Sequence, residues 1–486
     1  MLKNGAYNII GALVRAAAGV ITGPVLSRLM GLEEYGIWAL ISSVLAFLTV
    51  VEGGLSNAIT VFLSRDLSDK DDLKVSETIT ISLIWMLVLA ILASLFLYST
   101  AGIVINYFPG LNPTQQQNSV RALQIGCFSV LCQLLQQVFI GIEQAYHGYK
   151  ILSILKTVQF GSLSLGWIIS AHLGGGSVTL ATWQLVVTLI ILGWHIYVVR
   201  ALTRDHNLGF LWNNQRAAQI FRYNLAMWLM TIGGMLFTRG DRIIVGSVLG
   251  PESVAIYAIV SDVASGINFL VAQPIQPFLP VVSRFGLDHA SLHALQDKFR
   301  QVIQINSCMA VWSGSLVLIF SPLVISYVVG FKGSEYNTAL FCLQVLALIT
   351  TIQSLCNTGY YVLMSQDVTY LASVLFVGGF SSIVLIYLGS LEYGLVGSII
   401  GNFGYNIMTI CTFKSAEKFG ISYRLTFIYM AFPIFLFSMT SAMNYIFYFP
   451  HSIFSFLLVV QCCVVLTWFA FQNNVRLPTI IRSLGR

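Results

Sequence analysis

The sequence predicts an all-α integral membrane protein of about fourteen transmembrane helices. It predicts two parallel-repeat six-helix lobes around a central cavity, plus two C-terminal helices. Three observations carry this. The chain is 57% hydrophobic and 9% charged over 486 residues, with a mean hydropathy of +0.81, where a soluble domain carries roughly 25% charged residues. Its Lys and Arg residues alternate from loop to loop. A stretch of helix starts and ends returns at a constant offset of 219 residues.

Apolar stretches long enough to cross a hydrocarbon core of about 30 Å recur between short polar turns. The first six run over 6–30, 36–62, 77–106, 120–142, 151–172 and 178–199. The next six run over 224–249, 254–282, 301–330, 338–364, 370–391 and 394–413, and the last two over 425–447 and 452–471. Only Glu392-Tyr393-Gly394 separates the eleventh from the twelfth. Ala16-Ala17-Ala18 imitates a signal-peptide cleavage site, but Arg15 interrupts the apolar run before it.

With the N-terminus inside, eighteen of the 25 Lys and Arg residues fall in inner loops, among them Lys70, Lys74, Arg204, Arg216, Lys298 and Lys414. Only Lys332 and Arg121 fall outside. The positive-inside rule then places both termini in the cytoplasm. It makes the net charge of +6 a matter of topology, with no nucleic acid implied. The eight Cys all sit in apolar segments without metal-ligand spacing, so they are read as packing residues with no disulfide or metal role.

At the offset of 219, Gly31-Leu32-Glu33-Glu34-Tyr35-Gly36-Ile37-Trp38-Ala39 falls on Gly250-Pro251-Glu252-Ser253-Val254-Ala255-Ile256-Tyr257-Ala258, and Ser64-Arg65 falls on Ser283-Arg284. The second copy starts after six helices, an even number, so both copies enter the membrane from the same side. The implied organisation is a first lobe over 1–199, a cytoplasmic linker over 200–223 and a second lobe over 224–413. Residues 414–486 add two helices and a basic cytoplasmic tail. The second helix of each lobe is interrupted at matching places, by Glu52-Gly53-Gly54 and by Gln273-Pro274 with Pro277. Backbone groups freed there must find partners or line a cavity. Such breaks either bend helices for packing or mark a substrate pathway.

The segments Ser27-Arg28-Leu29-Met30-Gly31-Leu32-Glu33-Glu34-Tyr35-Gly36 and Glu52-Gly53-Gly54-Leu55-Ser56-Asn57-Ala58 with Ser64-Arg65 resemble those of polysaccharide-repeat (O-antigen type) flippases. So does Asp241 followed by Leu249-Gly250-Pro251-Glu252 and Tyr257. Those proteins belong to the multidrug, oligosaccharidyl-lipid and polysaccharide exporter superfamily. Val254-Ala255 departs from the family, which more usually has Gly near this place. The resemblance implies export of an undecaprenyl-diphosphate-linked oligosaccharide across a bacterial inner membrane by alternating access. It also implies membrane lipids, polysaccharide assembly proteins and a coupling ion, H+ or Na+, as partners.

Charges inside spans are costly and usually face a cavity or a partner. They are Arg15, Arg28, Glu52, Lys156, Arg239, Asp241 and Arg242, and a cationic set suits a diphosphate, because the guanidinium fork matches phosphate oxygens. Arg15 leads this set. It lies roughly 13 Å along the first helix, on a stripe with Gly11, Ala12, Ala18 and Gly19; the competing reading is an Arg snorkelling to the inner surface. Arg239 and Arg242 are three apart and share a helix face, with Asp241 pointing elsewhere. They read as a phosphate clamp, half of an outer gate, or a structural ion pair. Lys156, about one turn into its helix, is a second-rank ligand able to snorkel, and Arg28 near an outer end reaches water or Glu33. Glu52 reads as a coupling site or as the partner of an Arg.

No nucleotide-binding loop, His-Glu-x-x-His motif or catalytic constellation is present in the sequence, so no enzyme, cofactor or fused ATPase is expected. Three alternatives compete with a flippase. A drug or cation antiporter calls for acidic lobes. A membrane glycosyltransferase or polymerase calls for sizeable outer loops. A peptidoglycan-precursor flippase shares both fold and charge logic.

Overall fold

The computed structural model describes residues 21–146, 148–204, 209–272, 275, 289–330, 333–447 and 451–472. Two compact units emerge, residues 1–259 and 260–486. Among the described residues, ten helices are long and apolar enough to cross a membrane. Helix is the form that satisfies every backbone N–H and C=O within the segment itself.

In the first unit, α1 is the described helical end over 21–30. It is followed by α2 (Leu32–Leu48), α3 (Leu55–Ser68), α4 (Asp72–Asn106), α5 (Pro113–Ala145), α6 (Tyr149–His172), α7 (Ser177–Leu202), α8 (Asn214–Met235) and α9 (Asp241–Leu249). The helix α10 (Pro251–Ala272) starts in this unit. Several helices extend beyond their apolar spans because capping residues carry them into the loops. Asp71 accepts the Lys74 N–H at 3.1 Å and starts α4. Asn112 and Gln115 form a reciprocal capping box on α5, with Pro113 in its first turn. The Glu34 carboxylate accepts the Ser177 N–H at 2.8 Å, so one acidic residue of the Gly31–Gly36 segment caps α7.

The two ends of this unit are held by different contacts. At one end Gly209 and Asn213 bond to Ser76 and Glu77 of α4, and Arg216 is paired with Asp66. At the other lie Glu34 with Ser177, Gly36 against the Pro251 carbonyl, and Gly250 against the Pro109 carbonyl. The first group falls in loops expected inside, the second in loops expected outside. A Cys at Asn118 is therefore expected to react with a membrane-impermeant maleimide from outside intact cells, and a Cys at Gln215 only after permeabilisation. The reverse pattern would overturn the topology.

The second unit contains α11 (His289–Leu323), α12 (Gly333–Gln353), α13 (Asn357–Gln366), α14 (Val368–Gly401), α15 (Ile410–Lys418), α16 (Tyr423–Phe447) and α17 (His451–Gln472). Its core joins Phe299, Ile303 and Val311 of α11 to Phe437 of α16 and Leu458 of α17. The short separator at 392–394 proves sufficient. Gly394 (φ 60°, ψ −140°) breaks α14. The Gly389 and Gly397 backbones touch, Ser390 Oγ lies 2.7 Å from Ser398 Oγ, and Ser382 Oγ donates to Gly401 O at 3.1 Å. These rungs close antiparallel and make a tight helical hairpin whose small residues admit close backbone approach. Asp367 caps α14 through the Tyr370 N–H and meets Lys418 Nζ at 3.0 Å; both hold its carboxyl below the usual range, with the Lys418 hydrogen bond the larger cause.

The offset of 219 has a local structural counterpart. Gly31 (φ 86°, ψ 161°) starts α2, and Gly250 (φ 82°, ψ 178°) stands immediately before α10. Gly31 N–H donates to Ser27 O and Gly250 N–H to Gly246 O; Tyr35 N–H returns to Gly31 O and Val254 N–H to Gly250 O. Both positions need a positive φ that only Gly adopts readily.

Candidate functional site

The interrupted second helix is where the first unit departs furthest from a plain bundle. Between α2 and α3, Thr49–Glu52 form a 3-10 turn, and Gly53 (φ 58°) and Gly54 (φ 79°) are left-handed. At the break the Val50 carbonyl accepts the Gly53 N–H at 3.0 Å and also the Trp228 Nε1–H of α8 at 2.7 Å. The same indole covers Gly53, where an added Cβ would lie 2.3 Å from the ring. Gly53 is thus required twice, for its dihedral and for the space above it. Glu52 accepts from Ser56 Oγ at 2.7 Å and from the Ser56 N–H at 3.4 Å, and Lys156 of α6 attracts its carboxylate. Lys156 itself is exposed. The break therefore gathers Glu52, Lys156, Gly53 and Gly54 around one irregular segment.

A second cluster forms around Asp241, and here the helical-face argument needs correction. Residues Leu236–Gly240 make a π-helical turn, which inserts an extra residue and rotates all that follows. Asp241 lies close enough to Arg242 and Arg239 for both to attract it electrostatically. Its Oδ1 accepts the Arg242 N–H at 2.8 Å and its Oδ2 accepts the Tyr257 hydroxyl of α10 at 3.0 Å. Asp241 and Arg242 are buried and Arg239 half-buried. The three residues form one group of net positive charge in which both arginines attract the carboxylate. That arrangement brings out the ion-pair reading beside the clamp.

Arg15, Pro274 and Pro277 lie outside the described residues, so neither the leading cation nor the second interruption has a structural account. Arg28 is exposed near the end of α1.

Two buried pairs of ionisable side chains were not visible in the sequence. Asp66 is paired with Arg216, with side chains 3% and 15% exposed, and the Thr78 hydroxyl donates to Asp66 Oδ2 at 2.7 Å. The Arg216 guanidinium lies 5.0 Å from the Phe62 ring centre. Glu143 Oε1 meets His195 Nδ1 at 2.7 Å with both side chains essentially inaccessible. Asp66 and Arg216 look like loop charges in the sequence, and Glu143 lies just past an apolar span. The available signal was the repeated seven-residue spacing of Gln136 and Glu143, matched by Thr188 and His195.

A cavity of about 280 Å³ opens among α3, α4 and α8. Leu55, Trp85, Trp212 and Phe221 give it an apolar wall, and Ser82 Oγ and Asn224 Oδ1 on the same wall have no partner. None of the described candidate cations, Lys156, Arg239 and Arg242, lines it, and its apolar wall suits hydrocarbon. Among the described residues no three His, Cys, Asp or Glu side chains are placed to hold a metal ion. All eight Cys are free thiols.

A family model described as "Polysaccharide biosynthesis protein" matches residues 1–286. No curated protein sequence matches the chain. Among solved structures, the lipid II flippase MurJ in an inward closed conformation is similar at a TM-score of 0.77 and 12% identity, covering 96% of this chain and 99% of that one. An inward-facing multidrug resistance MATE family transporter of the MOP superfamily is similar at a TM-score of 0.72 and 14% identity, covering 84% and 98%. A MOP superfamily transporter from Pyrococcus furiosus gives a TM-score of 0.58 at 14% identity, covering 86% and 95%. This multi-pass membrane chain, with the fold of those transporters, belongs to the polysaccharide biosynthesis protein family.

Proposed function

We propose that the protein is a flippase moving undecaprenyl-diphosphate-linked oligosaccharide repeat units from the cytoplasmic to the outer leaflet of a bacterial inner membrane. Both termini are cytoplasmic in this reading, and transport proceeds by alternating access between lobes 1–199 and 224–413. The observation that carries it is the family match joined to a MurJ-like fold over 96% of the chain. Arg15, Arg239, Arg242 and Lys156 supply cationic compensation for the diphosphate. Glu52 and Asp241 tune that charge or take part in coupling to H+ or Na+. The apolar cavity at Trp85 and Trp212 suits the hydrocarbon part of a lipid. The fold likeness to a multidrug transporter leaves drug or cation export as a second reading, which the family match disfavours.

Alternating access needs an outer seal that forms and breaks. Gly36 presses on the Pro251 carbonyl, where a Cβ would lie 1.8 Å from the oxygen, and Gly246 is packed under Leu40. These contacts join α2 to α9 and α10, next to the matched glycines Gly31 and Gly250. In this reading they are the seal in its closed form. The double variant Leu40→Cys/Gly246→Cys is expected to crosslink on oxidation and stop export in a strain lacking its own flippase, with activity restored by reductant. Crosslinked protein that exports as well as reduced protein would remove the seal from the mechanism.

A further inference from the structure

The helices α5 and α7 pack on one another more extensively than any other pair of elements, and they run in the same direction. Two polar rungs cross between them at one offset. Gln136 Nε2 donates to Thr188 O at 2.8 Å, and seven residues further His195 Nδ1 donates to Glu143 Oε1 at 2.7 Å. Seven residues are two helical turns, roughly 10.5 Å, so the rungs stack along a single seam. Gln159 of α6 extends the first rung by donating to Gln136 Oε1 at 3.2 Å. Seven residues before Gln136, Ser129 Oγ is buried without a partner.

The second rung is ionisable, and its polar groups are incompletely satisfied. Glu143 Oε2 is buried and has no hydrogen-bond partner. A pair serving only to fix helix register is expected to satisfy its buried lone pairs, since an orphaned one costs stability. Charges on the surrounding elements are committed elsewhere. On α3, Asp66 is held by Arg216; at the break, Glu52 is held by Ser56 and drawn by Lys156 of α6. On α4, Glu77 holds Asn213, and on α2, Glu34 caps α7. Arg121 on α5 and Arg200 on α7 are exposed, and Asp72 opens α4. Tyr146, one residue past α5, carries the nearest phenol in sequence.

We propose that Glu143 and His195 form a proton-binding site inside the first unit, and that loading it is linked to the transport cycle. The link, though not the site, rests on the flippase reading. The charge balance is simple. A carboxylate beside a neutral imidazole carries net charge −1, and one added proton gives an imidazolium–carboxylate pair of net charge zero. A low-dielectric interior favours the neutral total, and imidazole is the side chain whose charge changes most readily near neutral pH. The proton enters on His195 and leaves from it; Glu143 holds it there.

Two residues from Glu143, the same helix touches the first turns of α3, directly after the break. A Cβ at Gly141 would lie 2.7 Å from Ser56 O, and Thr60 Oγ1 lies 3.2 Å from Gly141 O and 3.0 Å from Gln144 Oε1. In this proposal a change of charge at Glu143 is passed to the start of α3, where Ser56 holds the Glu52 carboxylate.

Solid-state NMR of the full chain in liposomes, labelled with 15N-histidine, tests the site directly. Of seven histidine signals, the one missing in His195→Gln is expected to convert from neutral to imidazolium between mildly alkaline and mildly acid pH. Glu143→Gln is expected to abolish that conversion. A His195 signal that keeps one form throughout would overturn the site, and no transport assay is needed to see it. The link is tested by flipping of a fluorescent undecaprenyl-diphosphate monosaccharide in the same liposomes under an imposed pH gradient. The wild type should respond to the gradient and Glu143→Gln should lose the response. Flipping in the wild type that ignores the gradient would overturn the link and leave the flippase reading standing. No flipping of the probe would count against the flippase reading and the link together, while the NMR result still decides the site.

Discussion

Asp66→Ala is expected to destabilise the first unit by about 3–5 kcal/mol, because removing one partner of a buried ion pair strands the other. Asp66 accepts from Arg216 and Thr78 at once, and its side chain is only 3% exposed. Its loss leaves the Arg216 guanidinium over the Phe62 ring with no carboxylate. The consequence reaches beyond one bond. Arg216 stands in the first turn of α8, and the preceding stretch is tied to α4 through Gly209 with Ser76 and Asn213 with Glu77. The measurement is thermal aggregation in detergent across a double-mutant cycle. Asp66→Ala/Arg216→Met should be less impaired than Asp66→Ala alone, since it removes the stranded charge. If the loss in the double variant equals the sum of the two single losses, the pair is not coupled and the account fails.

Arg15→Ala is expected to abolish export while leaving expression and membrane insertion intact. An anionic diphosphate crossing a low-dielectric region needs a compensating cation, and an unpaired charge there costs several kcal/mol. Helical spacing puts Gly11, Ala12, Ala18 and Gly19 on the same face as Arg15, a stripe of small residues. Arg15→Lys should keep part of the activity, because it retains the charge and loses the fork. The measurement is complementation of a flippase-deficient strain, normalised to protein level. Full activity in Arg15→Ala would take this residue out of the pathway, and loss of abundance in step with activity would assign it to packing.

Much of this protein was legible in its sequence. Apolar stretches of sufficient length fix helices in lipid, because the backbone has no other way to satisfy its polar groups. Glycine punctuation was equally direct. Gly31 and Gly250 have nearly the same positive φ at equivalent places, Gly53 and Gly54 make the expected break, and Gly394 turns the chain within three residues. Each follows from a local rule about what a residue without Cβ permits.

Tertiary structure alone decided which polar groups meet. Glu34 was a family-like motif residue in the sequence; only the fold brings it to the start of α7, 143 residues away. Asp66 and Arg216 are 150 residues apart and looked like separate loop charges. Local periodicity also failed at 236–240, where a π-helical turn changed the register on which the Arg239–Arg242 face had been drawn. The first two share one physical reason. Periodicity and hydropathy report how a residue relates to solvent and to its neighbours within a turn or two. A buried charge is stabilised by a partner that chain topology delivers from far away, and no local pattern encodes that distance.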